Sequence, residues 1–144
     1  MKNRTKLMIG GAIIFIALTS ALMFMFWTYL KRLGERSCVL SVHSSIISQS
    51  KKPKFKLDTD IGPDWVVLND DESEQLILAA AKDNKLDCNE WTSGRIGLDY
   101  WNNRLRIAAR QSLIDHTFEF KVWSNGPDGV SGTSDDISTE NNPR

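Results

Sequence analysis

Residues 104–123, RLRIAARQSLIDHTFEFKVW, alternate apolar and polar side chains in two runs separated by a turn-forming stretch. In RLRIAARQ, Leu105, Ile107 and Ala109 share one side and Arg104, Arg106, Ala108 and Arg110 the other. In FEFKVW, Phe118, Phe120 and Val122 oppose Glu119, Lys121 and Trp123. A period of two marks half-buried strands, and SLIDHT is long enough to join them as an antiparallel hairpin. Cross-strand pairing of Arg104, Arg106 or Arg110 with Glu119 is expected on the polar face.

Upstream, Trp65–Leu68 form a short apolar run that fits one further strand. Asn69 and Asp70 then offer cap side chains, Asp71, Glu72 and Glu74 place negative charge in a first turn, and Leu76, Ile77, Ala80 and Ala81 recur on one side. This predicts a helix over about 70–83, with Asn84 and Lys85 suiting its end. Between helix and hairpin, Trp91, Tyr100 and Trp101 are expected to supply core surface to a small sheet.

Residues 33–56 are ambiguous. Val39, Val42 and Ile46 fall at helical intervals, yet the Ser and β-branched content is poor for a helix, Gly34 interrupts the pattern, and Pro53 ends any regular element. Residues 7–30 contain no charged side chain, and a helix of that length spans about 36 Å, enough for a bilayer core of about 30 Å. A cleaved signal peptide is the competing reading, because Lys2, Arg4 and Lys6 form a basic start and Thr19-Ser20-Ala21 a small-residue cleavage site. The apolar run continues through Phe26, beyond the about 7–15 residues of a signal core, which favours an uncleaved transmembrane helix in contact with lipid.

The organisation expected is therefore a cytoplasmic tail over 1–6, a transmembrane helix over 7–30, a basic membrane-proximal segment over 31–56, a small exported α+β domain over 57–138 and a disordered tail over 139–144. The protein would sit in a bacterial inner membrane as a single-pass protein with its C-terminal domain in the periplasm. The net charge of zero hides blocks: residues 31–56 carry seven Lys or Arg against one Glu, and residues 57–90 ten Asp or Glu against two Lys. No basic stripe interleaved with aromatics points to nucleic acid. No substrate site is evident either: His43 and His116 are the only histidines, each expected to be exposed, and no GxSxG occurs. Cys38 and Cys88 are the only cysteines, and whether they pair is left open by the sequence.

After the hairpin, WSNGPDGVSGTSDDIS (123–138) packs three glycines and three aspartates into a stretch without periodicity. Asp128, Asp135 and Asp136 with glycine-freed carbonyls fit a hard cation such as calcium, which takes six to eight oxygen ligands. No soft ligand is present for zinc or copper.

This loop resembles the C-terminal calcium loop of the major pseudopilins of type II secretion systems, whose pattern runs Ser-x-Gly-x-Asp-Gly, a Gly-rich step, then an acidic pair before an apolar residue. LDYWNNRLRI (98–107) resembles that family's Asp-Pro-Trp-Gly-x-Pro-Tyr segment: Asp99, Trp101, Asn103 and Leu105 keep the spacing, while Tyr100, Asn102 and Arg104 replace Pro, Gly and Pro. The resemblance implies an α+β, pseudopilin-like fold, with a long N-terminal helix packed on a small antiparallel sheet. It implies calcium held by Asp128, Asp135 and Asp136 with carbonyls at Asn125 and Val130, and assembly with like subunits or other secretion components. Prepilin-type signals place Glu fifth in the mature chain. Cutting after Gly10 or Gly11 would put Phe15 or Ile16 there, and no acid occurs before Glu35. The chain thus reads as pseudopilin-like and not as a major subunit proper; the alternative is a stand-alone membrane protein with a calcium-stabilised binding domain that forms no filament.

Overall fold

The computed structural model describes residues 2–52, 55–83, 86, 88 and 97–139, with side chains from Phe15 onward. In chain order the elements are helix α1 (Lys2–Ser50), strand β1 (Val66–Val67), helix α2 (Asp70–Asp83), and strands β2 (Arg106–Gln111), β3 (Phe118–Ser124) and β4 (Ile137–Ser138). The four strands form one antiparallel sheet in the order β1-β2-β3-β4. The chain divides into two compact units, Met1–Leu33 and Gly34–Arg144.

The hairpin is as the alternation predicts. Ile107 pairs with Val122 and Ala109 with Phe120, and all four side chains are buried on one face. On the other face only Arg110 meets Glu119, at 2.6 Å; Arg106 reaches Asp70 and Arg104 reaches Glu74 on α2 instead. These pairs are half exposed and contribute little to stability. Helix α2 begins where its cap signal lies, the Asn69 Oδ1 accepting the Glu72 N–H at 2.8 Å. The Glu72 carboxylate folds back to hold the preceding turn through the N–H groups of Asp58 and Thr59 and the Thr59 hydroxyl.

Two expectations are corrected. The transmembrane helix at 7–30, followed by a separate domain with one helix, does not describe this fold: residues 7–30 belong to one continuous helix running to Ser50. Among the described residues no helix is long and apolar enough to cross a membrane, so single-pass anchoring in an inner membrane is not supported. Physically, the described run 15–30 is diluted toward its end by Trp27 and Tyr29 and is followed at once by Lys31 and Arg32. It also contains Thr19, Ser20 and Thr28, whose hydroxyls donate to carbonyls one turn back. Residues 7–14 lie outside the described side chains, as the 140–144 part of the tail, Pro53, Asn84, Lys85 and Trp91 lie outside the described residues.

Gly34 does not interrupt α1 either. A Cβ there would stand 2.4 Å from the Tyr100 hydroxyl and 2.7 Å from its ring, so glycine is what lets the Tyr100 side chain lie against the helix. Beyond it, Cys38, Val39, Val42 and Ile46 recur at helical spacing and are all fully buried. They share one core with Leu76, Ile77 and Ala80 of α2 and with Ile107, Ala109, Phe120 and Val122 of the sheet. Cys38 and Cys88 are joined in a disulfide within that core, which settles the pairing the sequence left open.

Candidate functional site

The loop between β3 and β4 carries every residue expected to hold an ion, and its geometry follows from a few short bonds. Gly126, Gly129 and Gly132 all adopt φ between +65° and +88°, conformations that glycine enters without strain. At Gly126 the fit is tightest, since a Cβ would meet the Asp135 carbonyl at 2.5 Å and its Oδ2 at 2.7 Å. The acidic end of the loop is therefore folded directly onto its start.

The three carboxylates are not gathered into one shell. Asp135 Oδ1 accepts the Thr133 hydroxyl at 2.6 Å and its Oδ2 the Asp128 N–H at 3.4 Å, which holds the Asp135 carboxyl below the usual range. Asp136 takes the Gly132 N–H at 2.7 Å and lies 3.3 Å from the same Thr133 hydroxyl. Asp128 turns to the Val130 N–H at 2.8 Å. The Val130 carbonyl accepts from Thr133, and the Asn125 side chain bridges Trp123 Nε1 and the Gly129 carbonyl. Asp135 and Asp136 thus converge on Thr133, and among the described residues no group of three His, Cys, Asp or Glu side chains is placed to hold a metal. In this arrangement the loop closes on its own donors.

Beneath the loop lies a buried polar centre that pattern reading passes over. Asp99 is 2 % exposed; its Oδ1 accepts the N–H groups of Trp101 (2.9 Å) and Asn103 (2.7 Å), and its Oδ2 accepts the Ser124 hydroxyl (2.7 Å). Ser124 in turn accepts the Gly126 N–H at 3.1 Å, and Asn103 Nδ2 donates to the Gly126 carbonyl at 2.8 Å. Asp99 thereby ties the turn before β2 to the end of β3 and the root of the loop. The signal for it is thin: an aspartate followed by aromatic and Asn residues, with Asn102 at φ 71°.

Both histidines line one cavity of 690 Å³ between α1 and β3, together with Asp115 and Glu119. His116 is exposed as expected, but His43 is half-buried because its Nε2 bonds the Phe120 carbonyl at 2.9 Å. That contact serves the sheet edge and brings no nucleophile to either ring. Compared with family models, with curated proteins and with solved structures, the chain finds no match in any of the three.

Proposed function

We propose that this chain is a pseudopilin-like structural subunit of a type II secretion or related system, which associates with further copies through the first half of α1. The observation that carries this reading is the contrast along one helix. Cys38, Val39, Val42 and Ile46 are buried, whereas Phe15, Met23, Phe24, Met25 and Phe26 are each more than 60 % exposed, with apolar groups on every side. An apolar stretch of that extent marks a surface that other protein or apolar matter covers. The disulfide fits an oxidising compartment.

The expected result is concentration-dependent association of the full chain in sedimentation, dispersed by the pair Met23→Lys and Phe24→Lys with the melting temperature of the 34–144 unit unchanged. A chain that stays monomeric at every concentration sinks the reading and favours the second one, a stand-alone binding domain. That second reading has its own observation: the first acid of the chain, Glu35, is buried within its own unit and so is not offered to a neighbouring subunit.

Calcium belongs to the proposal through the loop's oxygen-only chemistry and the convergence of Asp135 and Asp136. Because the loop already closes on internal bonds, the ion would add to an ordered loop instead of creating one. At about a hundredfold excess over its dissociation constant it would stabilise by about 2.7 kcal/mol. A melting temperature that rises with calcium in the wild type but not in Asp135→Ala is expected; identical curves with calcium and with chelator remove calcium from the account.

A further inference from the structure

Glu35 is fully buried, and the fold gives it half of what a carboxylate needs. Its Oε2 accepts the Tyr100 N–H at 2.7 Å, while its Oε1 has no hydrogen-bond partner. Among the described residues, the groups that face it do not answer its charge. From the 97–103 segment come the Asp99 carboxylate and the Tyr100 phenol, the latter lying against Gly34. From its own helix Arg36 is exposed, and Lys31 stands one turn earlier in sequence. On β3, the Ser124 hydroxyl is donated to Asp99. Asp99 adds a second acid beside Glu35, its own bonds going to the Trp101 and Asn103 N–H groups and the Ser124 hydroxyl.

We propose that Glu35 is a proton-operated latch between α1 and the 97–103 segment, closed while its carboxyl holds a proton and released when it becomes an anion beside Asp99. Neutral, the buried group costs little and its bond to Tyr100 docks the helix on the turn. Ionised, it leaves an unpartnered oxygen and two acids in a dry site, which opening relieves. Burial, with the neighbouring Asp99 adding to it, pushes the carboxyl up to about 7. The folded state therefore holds a proton that the unfolded chain, near 4.5, has released. Stability from the latch is complete below the unfolded value, declines as pH rises, and is gone above about 7. The consequence reaches the loop, because the turn that Glu35 holds is the one Asp99 and Asn103 tie to Ser124 and Gly126.

The test is amide exchange of the full wild-type chain between about pH 5.5 and pH 8, corrected for intrinsic rates. Protection of the Tyr100 N–H should fall about tenfold or more across that range and level off above about 7, and Glu35→Gln should abolish the dependence and keep the low-pH protection. Constant wild-type protection, or the same fall in Glu35→Gln, overturns the proposal. The carboxyl carbon resonance of Glu35 in the wild type decides the matter if that variant does not fold: titration near 7 supports the latch and titration below about 5.5 refutes it.

Discussion

Replacing Cys38 and Cys88 together by alanine should lower the unfolding free energy of this protein by roughly 4 kcal/mol, out of the 5–15 kcal/mol typical of a domain. The bridge spans 50 residues of sequence, so in its absence the unfolded chain gains the freedom of a large open loop. The domain depends on that restriction, because its sheet is short, two of its four strands being two residues long. Small folds of this kind take their margin from a staple. Alanine suits the test because both sites belong to the core and a serine hydroxyl there would add a cost of its own. Urea unfolding should show a lower midpoint for the variant, and reductant should move the wild type to the same place while leaving the variant still. A loss below about 1 kcal/mol would mean that the unfolded chain is already compact around residues 38–88 without the bond.

What was legible in the sequence was what local chemistry decides. The cap at Asn69 and the charges behind it place α2 at Asp70–Asp83, and the period of two from Leu105 to Val122 places the hairpin with its buried face. The second half of α1 was not legible. Ser41, Ser44, Ser45, Val39, Val42 and Ile46 argue against a helix one residue at a time, and what holds it is distant: the Tyr100 ring at Gly34, the bond to Cys88, the shared core. The first half misled for a related reason, since an absence of charge identifies apolar surface without showing where an element ends. In the loop, the spacing of Asp128, Asp135 and Asp136 was visible, but where each carboxylate points is fixed by Thr133 and by N–H groups that any residue carries. Asp99 showed only through the family resemblance, and Glu35 left no pattern, because a polar contact between residues 65 apart has no period.

Asp99→Ala should cost roughly 3–5 kcal/mol, the second-largest effect expected from a change in the described residues. It leaves three donors without an acceptor, the N–H groups of Trp101 and Asn103 and the Ser124 hydroxyl, which is itself fully buried. Each orphaned donor costs about 1–3 kcal/mol, and because all three share one centre the sum is less than additive. Asp99→Asn separates acceptance from charge. The amide oxygen can keep both backbone donors, and the amide NH2 can face Ser124 if that hydroxyl rotates to accept, so a loss of about 1 kcal/mol is expected. The same change removes the negative charge beside Glu35, so the pH at which the Glu35 contribution is exhausted should shift in Asp99→Asn. That shift is expected to be to lower pH at the midpoint of Glu35 itself, because the repulsion that raised it is gone, and the total pH-dependent loss should shrink accordingly. Urea unfolding of both variants from about pH 5 to pH 8 measures the two effects together. Equal losses for alanine and asparagine at low pH would show that Asp99 acts through its charge and not as the acceptor that ties the turn to the loop.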